Sequence, residues 1–162
     1  MPKTWKSSTI GENHPKLGKN KMQEYISKTV SIQRQAEDIY VFFSDFGKFS
    51  QLIPREQIDD FLATADECTF TVKGIAMGLK ILNREPFSMI KYMGIGKVPF
   101  EFLFWVQLKQ VAPYDTRMRL VLHAKMNMML KMMLKNKIQT GLDSFAEQIS
   151  SAFNGNMQYN GN

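Results

Sequence analysis

Cysteine occurs once, at Cys68, so the chain cannot close an intramolecular disulfide and has neither a zinc-finger spacing nor a CxxC redox motif. A lone thiol suits a reducing compartment, and the cytoplasm is the expected location. Histidine occurs twice, as His14 and His123. No apolar run approaches the roughly 18 residues of a spanning helix, and the N-terminus lacks the apolar stretch of about 7 to 15 residues that a signal peptide needs. Ser44 and Ser88 have no recognisable histidine partner, and "GIGK" lacks the spacing of a phosphate loop. Asp59 and Asp60 are adjacent in a strand pattern, so their side chains point to opposite faces and make no natural carboxylate pair. No motif is specific for an enzyme, and neither a metal nor an organic cofactor is expected.

What is present is a chain of 162 residues, 44% of them hydrophobic, which fits one domain with an ordinary core. The formal charge is +6, but its placement matters more. Residues 1–21 carry Lys3, Lys6, Lys16, Lys19 and Lys21 against Glu12, a net +4 that leaves +2 for everything else. This leader is rich in Lys, Ser, Asn, Gly and Pro, without apolar periodicity, and reads as a disordered basic segment. It excludes specific nucleic-acid recognition as the main reading; what remains is non-specific attraction to phosphate. The last residues, 154–162, read as a flexible tail. The organised region is 22–153.

Within it, "EYISKTVSIQ" alternates Ile26, Val30 and Ile32 with Ser27, Thr29 and Ser31, the period of a half-buried strand. "AEDIYVFFSDFGKFSQLIP" spaces Ile39, Phe42, Phe43 and Phe46 as a helix face, with Gly47 as its expected breaker and a second short helix through Phe49, Leu52 and Ile53 before Pro54. Six strand candidates follow between Ile58 and Met126, joined by links short enough to force antiparallel pairing. Phe100, Phe102, Phe104, Val106 and Leu108 share one face of the penultimate strand; Met118, Leu120, Leu122, Ala124 and Met126 share one face of the last. Pairing those faces sets even residues opposite even ones, which requires an odd connection or a bulge. A long amphipathic helix then runs from Met128 to Phe153 with Asn127 as its N-cap and Leu134, Ile138, Leu142, Phe145, Ile149 and Phe153 as its apolar stripe.

This order of elements, carried by "TVSIQRQAEDIYVFFSDFGKFSQLIP", "GLKILNREPFSMIKYMG" and the closing helix, resembles the START-like, or SRPBCC, superfamily, which includes polyketide cyclase-like proteins. The resemblance covers residues 24 to 153. It implies an α+β helix-grip fold: a curved seven-stranded antiparallel sheet wrapped around the long C-terminal helix, with two short helices after the first strand. Many relatives hold a lipid, steroid or polyketide between sheet and helix. Gln35 departs from the Ser or Pro that many members carry at the helix entrance.

Five methionines fall between Met126 and Met133. A soft-metal site would need converging sulfurs, and the pairs Met128/Met132 and Met129/Met133 present only two on each of two faces. A membrane-surface helix is suggested by Lys125, Lys131, Lys135 and Lys137, yet Lys131 and Lys135 lie near the face of Ile138 and Ile149. Core filling and a flexible cavity wall also suit methionine.

The function expected is binding, without catalysis, of a small apolar molecule: a lipid, an isoprenoid or an aromatic polyketide-like compound. Inward faces nominate Phe70, Val72, Leu79, Ile81, Ile90, Tyr92, Phe102, Phe104, Leu120, Leu122, Met133 and Ile138 as its lining, with Tyr92 as the polar handle. The alternatives are a cyclase or dehydratase, in which Tyr92 donates a proton, and an interaction module. For the latter, Leu103, Trp105 and Val121 form an apolar island on the outer sheet face, suited to a homodimer or another protein partner.

Overall fold

The computed structural model describes residues 22–50, 56 and 58–156. In chain order the elements are β1 (Met22–Ile26), β2 (Val30–Ile32), α1 (Ala36–Phe43), α2 (Phe46–Phe49), β3 (Asp59–Ala63), β4 (Glu67–Val72), β5 (Ile75–Glu85), β6 (Met89–Gly96), β7 (Glu101–Ala112), β8 (Asp115–Lys125) and α3 (Met128–Ser151), which ends in a π-helical turn, Ala152–Asn156. The strands form one antiparallel sheet in the order β1-β8-β7-β6-β5-β4-β3, with β2 also pairing β8. This is the helix-grip architecture, with all six strands expected after residue 58.

The first predicted strand divides in two. Between Tyr25 and Val30 it advances five residues, while the opposing β8 advances four, from Leu122 to Met118. The surplus is absorbed around Ser27, whose amide donates to the Leu120 carbonyl at 2.9 Å and whose hydroxyl accepts from the Leu120 amide at 2.8 Å. Parity therefore changes across the bulge. Tyr25, Val30 and Ile32 pack toward the core, whereas Ile26, expected beside Val30 and Ile32, is exposed.

Ile39, Phe42, Phe43 and Phe46 are buried as their spacing predicts. The helix breaks earlier than Gly47, however, because the Asp45 carboxylate accepts from the Gly47 amide at 2.8 Å and so starts α2. Gln35 offers no side-chain cap to α1; the Gln110 side chain accepts from the Ala36 amide at 2.8 Å in its place. Leu52 and Ile53 lie outside the described residues.

The β7–β8 register pairs Phe102 with Ala124, Phe104 with Leu122, Val106 with Leu120 and Leu108 with Met118. Even residues oppose even ones, and a register shift between Gln110 and Ala112 supplies the required bulge. Asn127 caps α3 as expected, its Oδ1 accepting from the Leu130 amide at 2.9 Å.

The two halves of α3 are held differently. From Gln139 onward it is tied to the β1–β2 edge: Gln139 donates to the Ile26 carbonyl at 2.9 Å, Asp143 accepts from the Lys28 amide at 2.7 Å, Glu147 pairs with the Lys28 ammonium, and Ser150 donates to the Ser31 carbonyl at 2.8 Å. Leu142, Ala146, Ile149 and, beyond the α-helix, Phe153 are its buried contacts, packed among Ile32, Ile39, Phe42, Met118 and Leu120. At about 1.5–3 kcal/mol for each large side chain removed from water, this half supplies the grip. Residues 128–138 contribute no buried side chain. The folded part also runs past Phe153: Asn154 accepts from the Gln33 amide at 2.7 Å and donates to the Ser31 carbonyl. The leader 1–21 and residues 157–162 lie outside the described residues.

Candidate functional site

A cavity of about 310 Å³ lies within the grip. Its walls come from α1 (Phe43), α2 (Phe49), the inward alternation of β4 to β7 (Cys68, Phe70, Met77, Leu79, Tyr92, Phe102, Phe104), and Phe145 of α3; Ile58, Gly78, Val98 and Pro99 complete it. Strand pairing brings these together: Cys68 and Gly94 flank Leu79 on neighbouring strands, Met77 faces Phe70, and Phe104 faces Tyr92. Gly94 is a requirement of this packing. A Cβ there would stand 2.4 Å from the Phe102 ring, so the ring occupies space that only glycine leaves.

The lining carries no charged residue, and its polar groups are subdued. The Tyr92 hydroxyl donates to the Phe43 carbonyl at 2.6 Å, and burial pushes the phenol well above its ordinary titration range. Burial likewise pushes the Cys68 thiol up to about 11, so it stays neutral. Such a site can hold an apolar body by excluding water and has little with which to move protons.

Of the residues nominated from sequence, Phe70, Leu79, Tyr92, Phe102 and Phe104 meet at the cavity. Ile81, Ile90 and Leu120 are buried in the solid core, and Leu122 packs half-buried against it. Val72 and Ile138 are half-buried outside the wall, and Met133 is exposed. Where the helices sit accounts for part of the division: α3 lies over β1, β2 and β8 and fills the inward face around Leu120, α1 lies over β6 and β7, and the remaining inward positions of β4 to β7 line the void. Cys68 and Met77 continue the alternation that identified Phe70 and Leu79 and were within reach of sequence reading. Phe43, Phe49 and Phe145 belong to helices whose apolar stripes do not reveal which members meet a void. Val98 and Pro99 sit in a connection with no periodicity.

No family model and no curated protein matches the chain. Solved structures do. The Aha1 dimer from Colwellia psychrerythraea superposes with a TM-score of 0.62 at 17% identity over 85% of this chain and 100% of that one. A norcoclaurine synthase point mutant from Thalictrum flavum, in complex with a transition-state analogue, gives 0.62 at 14% identity over 82% and 95%. A solution structure from Thermobifida fusca gives 0.63 at 10% over 86% and 97%. At these identities the likeness shows the fold alone, the helix grip.

The outer sheet face differs from expectation. Trp105 does lie opposite Val121, but both are fully buried and Leu103 is nearly so, forming a second small core with Met89. Lys91 Nζ stands 5.3 Å over the indole, and the His123 ring lies 4.6 Å from it with Nε2 2.9 Å from Glu24. The island is therefore not an open patch. Arg84 is structural, donating to the Ser44 carbonyl and to Asp66, each at 2.7 Å. Among the described residues no cluster of three or more His, Cys, Asp or Glu could hold a metal ion, and no helix is long and apolar enough to cross a membrane.

Proposed function

We propose that this chain binds and shields a small apolar molecule in the cavity between the β4–β7 face and the helices. The observation that supports this most is the wall itself: aromatic and aliphatic side chains with a neutral thiol and a phenol already engaged. A volume near 310 Å³ lies at the lower end of small-molecule sites, which favours a compact ring system or a short isoprenoid over a long acyl chain. Affinity comes from buried area, at about 25 cal/mol per Å² of apolar surface, with little directional bonding. Binding is favoured over cyclase or dehydratase chemistry because the one phenol in the wall spends its proton on the Phe43 carbonyl. A reducing compartment, the cytoplasm, suits the free Cys68.

Native mass spectrometry and organic extraction of protein purified from its own source test this directly. An apolar compound should co-purify, and an environment-sensitive dye bound to the protein should be displaced by isoprenoids, sterols or aromatic compounds. If none of these competes, the cavity is not a binding site. Conversion of a retained compound into product would make the protein an enzyme.

A further inference from the structure

Of the five methionines expected to fill a core or line a cavity, Met126 is buried and the other four do neither. Met128, Met129, Met132 and Met133 are 61–71% exposed, side by side on the first two turns of α3. Leu130, Leu134 and Ile138 turn the other way, half-buried, along the row that leads to Phe145. At 100° per residue the four methionines span an arc of about 140°. Lys135 falls about 20° beyond one border of that arc and Lys137 about 40° beyond the other, with Lys131 further round on the Lys135 side. The conflict with Ile149 falls away, because the stripe that grips the sheet begins only at Leu142, while Ile138 stays about 20° from Lys131 and both are half-buried.

Charge points to the occupant. Between Asp115 and Asp143 the chain has no acidic residue, but it has Arg117, Arg119, Lys125, Lys131, Lys135 and Lys137. Among the described residues Lys131, Lys135 and Lys137 form no ion pair. An exposed apolar arc bordered on both sides by lysines matches a water–lipid boundary, where apolar ends enter the acyl region and ammonium groups reach back to headgroup phosphates and carboxylates. A protein groove would need acidic rims placed to match; an anionic bilayer supplies negative charge everywhere along its plane.

We propose that the Met128–Met133 face of α3 docks this protein on the surface of an anionic lipid bilayer. The docking is independent of what the cavity holds. It is peripheral: the methionine arc enters the interface and nothing spans it. Each lysine near such a surface strengthens binding about fivefold, so the three on the helix contribute substantially at low salt.

Full-length protein is sedimented with vesicles of phosphatidylcholine alone and of phosphatidylcholine mixed with phosphatidylserine, alongside Met129→Asp/Met132→Asp and Lys131→Gln/Lys135→Gln/Lys137→Gln. All these positions lack buried side chains, so circular dichroism and thermal unfolding should match the wild type. The wild type should pellet with the mixed vesicles and not with phosphatidylcholine alone, and each variant should bind at least tenfold more weakly. Absence of wild-type binding to mixed vesicles overturns the proposal. So does binding that survives the aspartate substitutions, which would trace it to the basic leader. Self-association that those substitutions abolish while vesicle binding persists would assign the face to protein and equally overturn it.

Discussion

The hydroxyl of Tyr92 donates to the carbonyl oxygen of Phe43 at 2.6 Å, fastening the end of α1 to the middle of the sheet. Arg84 does the same for the next carbonyl, that of Ser44. Two successive acceptors that a helix end leaves open are thus satisfied from β5 and β6. Tyr92→Phe keeps the ring and strands one buried acceptor, so stability in urea should fall by about 1–3 kcal/mol. Affinity for a displaced dye or isoprenoid should stay within about twofold of wild type, a difference of about 0.4 kcal/mol. A tenfold loss of affinity at unchanged stability would make the hydroxyl the ligand's handle after all.

Gly94→Ala tests the cavity's shape. The new methyl group collides with the far end of the Phe102 side chain, which lines the void and has to shift. Dye binding should weaken severalfold, while overpacking lowers stability by about 1–3 kcal/mol. Unchanged binding would mean that ligand does not occupy the Phe102 side.

Cys68 makes stability fall in alkali. Well below pH 9, native and unfolded chains both hold the thiol proton. Between the ordinary value near 9 and about 11, the unfolded chain releases it and the native one does not, so the Cys68 contribution is lost as pH rises through that window. Cys68→Ala should flatten the slope in urea titrations across it. The same burial predicts slow alkylation by iodoacetamide at pH 8, slower still with an apolar compound in the cavity.

The halves of α3 should answer differently to truncation. Ile149→Ala removes a buried side chain from the core and should cost about 2–5 kcal/mol. Met132→Ala, on the exposed arc, should change stability by no more than about 0.5 kcal/mol. Equal costs, measured by denaturation, would show that the front of the helix packs against the fold.

Periodicity made much of this fold legible. The even-to-even register of β7 and β8 with its bulge, the Asn127 cap and the buried Ile39, Phe42, Phe43 and Phe46 follow from local pattern. What stayed hidden depends on contacts remote in sequence. Alternation says that Leu79 and Leu120 face inward, but only the seat of α3 on β1, β2 and β8 leaves one beside a void and the other in solid core. Helical spacing marks Met133 as apolar without revealing that its turn contributes nothing to the core. The split of the first strand rests on the two bonds between Ser27 and Leu120, ninety-three residues apart.

Because, among the described residues, α3 is tied to the sheet edge only from Gln139 onward, residues 128–138 form an arm about 16 Å long. Gly141, with open space where a Cβ would stand, lies just inside the clamped half. Phe145, in the cavity wall, lies one turn beyond it on the same continuous helix. The methionine arc and the cavity wall thus share one continuous helix, on either side of the clamp that begins at Gln139.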